Sequence, residues 1–226
     1  MRVAAVQAHR LWAPVYDSCL NPILALERRA MESVLKPLQP CRVVDVACGT
    51  GRWLPHLQNA GSQVFGCDAC EEMLYEATKN HSLRGRLALA DAERLPFRSS
   101  VADLILCSLS LGYFRRLDRV FREFARTVTL GGVIAVSDLH PDALAAGWKR
   151  SFNVGREKYE IMHYSRALEE IKEAATDAGL RCRSFEEVSL GAAELPIFQR
   201  VGRERYFESA KSIAALFIGV WEKPCC

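Results

Sequence analysis

Three aspartates mark out a possible ligand site by their spacing. Asp45, Asp68 and Asp91 follow one another at intervals of 23 residues, and each closes a short apolar run: CRVVDVA, SQVFGCD and RLALAD. A carboxylate at the end of a buried strand can accept two hydrogen bonds, which suits the paired hydroxyls of a ribose. Between the first two lies Ala47-Cys48-Gly49-Thr50-Gly51, a small-residue turn that leads into a helix near Arg52. Glycines there let a ligand approach the backbone, and a helix start offers free N–H groups. His140, in SDLHP, and His163, in YEIMHYSRALEEI, follow the later apolar runs. Histidine titrates near neutrality, so these two are the candidate proton acceptors. His9 is a third histidine with a possible substrate role, and His56 and His81 read as surface or packing residues.

The elements that must position these groups alternate in type. Five runs rich in Val, Ile and Leu read as strands: Cys41–Ala47, Ser62–Asp68, Arg86–Asp91, Ala102–Ser110 and Gly131–Leu139. Amphipathic segments separate them, with helices expected over Arg52–Ala60, Cys70–Lys79 and Arg115–Val128. Such alternation predicts βα units and a mostly parallel sheet covered by helices on both faces. A further helix, Ser165–Ala178, ends at Gly179, and two late strands lie near Leu180–Leu190 and Ser212–Glu222. Pro22–Lys36 reads as a helix stopped by Pro37 and Pro40, so residues 1–40 form a helical cap on a domain spanning 41–226. The stretch from about 140 to 164 carries Pro141, Gly147, Gly155 and several aromatics, and reads as a lid-like insertion.

Composition narrows the function classes. The chain has 226 residues, 50% of them hydrophobic and 25% charged, an ordinary globular balance. A net charge of +3 is too weak a field to argue for nucleic acid or an anionic membrane. No apolar stretch approaches the roughly 20 residues that span a bilayer. The opening MRVAAVQAHRLW lacks the apolar core and cleavage site of a signal peptide. Nine cysteines, an odd number with several inside strand-like runs, fit a reduced cytoplasmic protein better than a disulfide framework. Cys67 and Cys70 form a lone CxxC and Cys225-Cys226 a vicinal pair; neither has a partner at zinc spacing, so no metal site is expected.

Two cofactor classes share the strand–turn–helix geometry. A dinucleotide fingerprint requires a third glycine, yet Leu54 stands in its place, and Asp45 has no role in it. A nicotinamide-dependent oxidoreductase is therefore the weaker reading. In order and spacing, DVACGTG, GCDACEEML, DAERLPF, ADLILCSLSLGYF and TLGGVIAVSDLHP resemble the class I S-adenosylmethionine (SAM) dependent methyltransferases. The likeness is to the small-molecule branch that includes the ubiquinone and menaquinone methyltransferases, and it runs from about Tyr16 to Lys223.

That resemblance implies a Rossmann-like seven-stranded fold, SAM as cofactor and S-adenosylhomocysteine (SAH) as product. It implies that Asp45, Ala47, Cys48, Gly49 and Gly51 form the turn against SAM, and that Asp68 holds the ribose with Ala69 and Met73 near the adenine. Asp91, Ala92 and Glu93 would bind the adenine amine, Cys107 and Ser108 would line the floor, and Tyr16 would cap the cofactor. Where the family has the first glycine of the turn stands Ala47, which is accommodated if its φ stays negative. The acceptor would be a small molecule, aromatic or quinone-like, methylated at O, N or C by a monomer or homodimer. His9, Tyr113, Trp148 and Tyr164 are its candidate contacts. Lys149, Arg150, Arg156 and Lys158 cluster in the insertion, where a solvated loop is the plain reading and attraction of an acidic substrate the alternative. A non-catalytic SAM-binding protein and a cysteine-dependent thiol or metalloid methyltransferase are the remaining rivals.

Overall fold

The computed structural model describes residues 1–225; Cys226, half of the vicinal cysteine pair, lies outside the described residues. The chain opens with β1 (Arg2–Val3), α1 (Ala5–Trp12) and α2 (Pro22–Leu35). Alternating strands and helices follow: β2 (Arg42–Val46), α3 (Leu54–Asn59), β3 (Gln63–Asp68), α4 (Glu71–Ala77), β4 (Leu87–Leu89), β5 (Ala102–Ser108), α5 (Leu117–Thr127) and β6 (Val128–Leu139). The insertion holds α6 (Pro141–Ala145), β7 (Ser151–Val154) and β8 (Glu157–Ile161). The chain closes with α7 (Leu168–Asp177), β9 (Arg181–Ser189), α8 (Leu195–Arg200), α9 (Phe207–Lys211) and β10 (Ala214–Glu222).

Seven strands form one sheet in the order β4-β3-β2-β5-β6-β10-β9. Only β10 runs against the others, pairing antiparallel with both β6 and β9. The side-chain period of two sorts each central strand between two cores. On β5, Ala102, Ile105 and Cys107 face the core under α5 and α7, while Leu104 and Leu106 face the core under α2, α3 and α4. Helix α5 buries Leu117, Val120, Phe121, Phe124 and Ala125, an apolar stripe at i, i+3, i+4, i+7 and i+8. Gly179 ends α7 at φ +81°, the left-handed C-terminal position that favours glycine.

The sequence reading places the seven strands of this sheet and helices α2 to α5 and α7 to within a few residues, but not β1, α1, α8 or α9, and it assigns no elements within the lid-like insertion. It is a β-hairpin, in which β7 pairs with β8, and β1 adds a third strand parallel to β8. Trp12 of α1 stacks on Phe152 of β7 at 4.7 Å, and Phe152 stacks on Tyr159 of β8 at 5.4 Å. The chain's first residues and its insertion thus share a small core, although they lie about 150 residues apart. No described helix is long and apolar enough to cross a membrane.

Candidate active site

The chain travels across the sheet from β2 to β4, then restarts at β5 on the other side of β2. The strand ends on either side of that reversal diverge, and ligands of open α/β sheets bind in the resulting crevice. Here it is a cavity of about 1590 Å³, roofed by α1, by the turn after it and by the insertion. Single-ligand pockets measure roughly 300–1,000 Å³, so this cavity has room for two molecules side by side.

The turn after β2 forms one wall. Ala47 has φ +57°, not the negative value expected of it, because the chain must reverse sharply off the strand end; a Cβ there is strained by about 1–2 kcal/mol. Gly49 has φ +55° and nothing within 4 Å of where a Cβ would stand, so the backbone is open to an incoming group. Gly51, at φ +77°, faces the other way: a Cβ would stand 2.9 Å from Leu83 Cδ1. Gly51 therefore seats the turn on the core and does not line the cavity.

Asp68 is fixed by the backbone on both oxygens. Gly49 N–H donates to Oδ2 and Cys70 N–H to Oδ1, each at 2.8 Å. Each oxygen keeps a lone pair for a ligand hydroxyl. Burial pushes this carboxyl up, and the Cys70 and Gly49 N–H groups and nearby His9 pull it back. Asp45 is 2% exposed, and its Oδ1 has no partner among the described residues. Burial pushes its carboxyl well above the usual carboxylate range; Arg52 opposes this, while Asp68 and Glu27 add to it. A buried carboxylate oxygen without a donor is costly, so the site is built for a group that supplies one. Asp91 lies further along the wall, its Oδ1 accepting the Glu93 N–H at 2.9 Å.

Twelve of the fourteen anticipated cofactor residues line this one cavity; Gly51 and Cys107 do not. Cys107 is wholly buried between β5 and α5, where burial pushes its thiol up and it acts as small packing. Cys67 is likewise buried, its thiol pushed up to about 12. His9, Tyr113 and Trp148 also face the cavity. Tyr164 does not: it is half exposed with the Arg166 guanidinium 5.2 Å from its ring.

The two histidines chosen as proton acceptors are both outside the cavity. His140 is 3% exposed and caps α6, its Nδ1 accepting the Asp142 N–H at 3.1 Å, while Nε2 lies 3.2 Å from Glu187. His163 turns Nδ1 to the Ile161 carbonyl at 3.1 Å. The histidine on the wall is His9, whose Nδ1–H donates to the Ala5 carbonyl at 2.8 Å. That bond makes Nε2 the ring's basic nitrogen, and it has no protein partner among the described residues. Burial holds His9 below its ordinary pKa; the Ala5 carbonyl and Asp68 oppose this, and Arg150 adds to it. The Tyr113 and His9 ring centroids lie 5.0 Å apart with the rings nearly perpendicular, and the Arg150 guanidinium lies 4.7 Å from the centre of the Tyr113 ring.

Two buried ion pairs were not anticipated. Glu27 of α2, fully buried, accepts from Arg52 Nη2 at 2.6 Å, Ser108 Oγ at 2.7 Å and Ser137 Oγ at 2.9 Å. Its position offered a signal, since Glu27 falls four residues before Met31 on the apolar stripe of α2. Arg150 pairs with Asp138, which also accepts the Gly112 N–H at 2.6 Å. Nothing local separated Arg150 from the solvated cations beside it.

A family profile described as a methyltransferase domain matches residues 44–136, the part that holds the turn and all three strand-end aspartates. The chain is 30% identical over 171 residues to a malonyl-[acyl-carrier protein] O-methyltransferase of Geobacter sulfurreducens, covering 70% of this chain and 64% of the relative. It is 32% identical over 141 residues to a demethylmenaquinone methyltransferase of Deinococcus radiodurans, covering 58% of each. The chain thus spans less than two thirds of either relative's length. A SAM-dependent methyltransferase from Mesorhizobium loti superposes with a TM-score of 0.63 at 22% identity, over 80% of this chain and 90% of that one. Sheet order and turn define a Rossmann-like fold with strand-end acids at its crevice. Over residues 44–136 the chain is similar to a methyltransferase domain, and it shares the fold of SAM-dependent methyltransferases. The site fits that cofactor: Gly49 leaves space against the backbone, Asp68 offers two aimed oxygens, and Asp45 lacks a donor.

Proposed function

We propose that this chain transfers a methyl group from SAM to a small-molecule acceptor, with residues 1–40 and the 140–164 insertion acting as cap and lid. The carrying observation is Asp68, half-buried and held by two backbone N–H groups at the edge of a cavity with room for a second molecule. SAM, when bound, supplies a methyl on a positively charged sulfur. Asp68 would hold the ribose hydroxyls, with Ala69 and Met73 beside the base and Asp91 at its amine edge. Asp45, Cys48 and Gly49 would face the rest of the molecule, with Ser108 at the floor beneath it and Tyr16 capping it. Thr50 Oγ1 donates to Asp17 at 2.8 Å, which ties the N-terminal segment down onto the turn.

His9 takes the proton of the attacking group on Nε2 where that group is an O–H or C–H acid. Its lowered pKa keeps the ring neutral at pH 7, as a base must be. Displacement at a methyl needs the attacking atom in line with the departing sulfur, so positioning supplies most of the acceleration. Trp148, Tyr113, Leu190 and Phe198 make the acceptor half apolar and aromatic. The relatives named above act, by their names, on a malonyl carrier protein and on demethylmenaquinone, and a quinone-like ring suits these walls. A cytoplasmic location and a monomer or homodimer complete the proposal.

Calorimetric titration with SAM and SAH, beside Asp68→Ala, tests the cofactor assignment. Micromolar binding lost in the variant supports it; no binding by the unaltered protein refutes it. Transfer of labelled methyl into a panel of phenols, quinols and carboxylic acids then tests the acceptor assignment.

A further inference from the structure

The cavity is electrically divided. Its four lining acids, Asp45, Asp68, Asp91 and Glu93, all lie on the half made by the ends of β2, β3 and β4. Arg52, also on that side, is spent on Glu27, and the remaining walls contribute cations and no acid. Two of these, Lys149 and Arg150, are already paired, with Glu160 and Asp138. Four more line the rim with no ion-pair partner among the described residues: Arg115 after β5, Lys158 on β8, and Arg203 and Arg205 between α8 and α9. They come from three segments separated by tens of residues, so the fold gathers them; they are not one basic run. Deeper in that half, Arg150 is 9% exposed, and its Nε–H is buried with no acceptor. The floor between is apolar, with Trp148, Leu190, Phe198 and Ile213.

We propose that the second half of the cavity binds an acceptor with an apolar or aromatic body and an anionic head, a carboxylate or a phosphate. This rests on the methyltransferase reading, which assigns the acidic half to the cofactor. The acidic half attracts the positively charged sulfonium and ammonium of SAM. Four uncompensated cations on a concave, partly apolar rim raise the local concentration of anions and disfavour a cationic acceptor. Arg203 and Arg205 can each offer a planar fork to two oxygens, the geometry that carboxylates and phosphates share. The head would sit at the rim and the body against Trp148 and Phe198, with the inner end of the molecule turned towards His9.

The test uses four probes that share a ring system: 2-naphthoate, 2-naphthyl phosphate, 2-naphthalenemethanol and 2-naphthylmethylamine. Each is titrated into the SAH-saturated protein and into protein without SAH, by tryptophan fluorescence at 50 mM and 500 mM NaCl. The expected result is that one or both anions bind at least tenfold more tightly than the alcohol and the amine. That preference should shrink at high salt and in Arg203→Gln/Arg205→Gln, while SAH affinity in the double variant stays within twofold. The tighter anion names the head group. Equal binding of alcohol and anions, binding of none at millimolar concentration, or a preference untouched by the double variant overturns the proposal. Failure of SAH to bind while the anions still discriminate overturns the methyltransferase reading and leaves the anion site standing.

Discussion

Removing the Glu27 carboxylate should cost far more than a surface substitution, because Glu27 joins the N-terminal cap to the floor of the cavity. Its carboxylate is wholly buried, accepts three hydrogen bonds, and is the ion-pair partner of Arg52, whose side chain is only 18% exposed. Glu27→Ala leaves the Arg52 charge and the buried Ser137 hydroxyl without their acceptor. Breaking a buried pair from one side costs about 3–5 kcal/mol. For a domain of this size, roughly 2–4 °C of melting temperature goes with each kcal/mol, so the midpoint should fall by about 6–20 °C. Glu27→Met/Arg52→Met removes both charges while keeping bulk, and should recover most of that loss, since apolar replacement of a whole buried pair is often neutral. The assay is urea denaturation of Glu27→Met, Arg52→Met and the double variant. A coupling energy above about 1 kcal/mol is expected; additivity within about 0.5 kcal/mol would mean that the residues act independently, and would refute the reasoning. Arg52 and Ser108 also line the cavity, so Glu27→Ala should weaken SAH binding too.

Further outcomes follow from the same geometry. His9 should titrate below 6.5 in an NMR pH series, because burial disfavours its charged form. The sign for stability is positive with rising pH: between the lowered folded pKa and 6.5 the unfolded chain binds the extra proton, so stability grows across that window, and His9→Gln should flatten the slope. With an acceptor in hand, His9→Gln should lower kcat/KM by about 10²–10⁴-fold if the attacking group must lose a proton, while leaving SAH affinity in place. His140→Asn should keep the cap on α6 and leave SAH affinity unchanged, whereas His140→Ala should cost about 1 kcal/mol by denaturation. Ala47→Gly relieves a left-handed Cβ worth about 1–2 kcal/mol against roughly 0.5–1 kcal/mol of added chain entropy; a small net gain in stability is expected, and a loss would show that φ +57° is not strained.

The acidic half of the site was legible in the sequence because it is built locally. Asp45, Asp68 and Asp91 each end a strand, and neighbouring parallel strands bring those ends together whatever the rest of the chain does. The period-two and helical patterns that place the strands therefore also place the acids. The histidines failed that logic. His140 follows a strand end as the aspartates do, but Pro141 starts α6 at the next residue, and the ring is spent as its cap. His9 becomes a wall residue through the β1–β8 pairing and the stack of Trp12 on Phe152, contacts about 150 residues apart in the chain that no local pattern encodes. The cations have the same character, because Lys158, Arg203 and Arg205 meet only when the hairpin and the segment before β10 fold over the same mouth. An acidic half written in local sequence and a cationic half assembled from distant segments can vary separately. Substitutions in the hairpin or around Arg203 should therefore change which molecule is bound while leaving SAH affinity nearly constant, whereas substitutions at Asp68 should abolish SAH binding and leave the preference for anions in place.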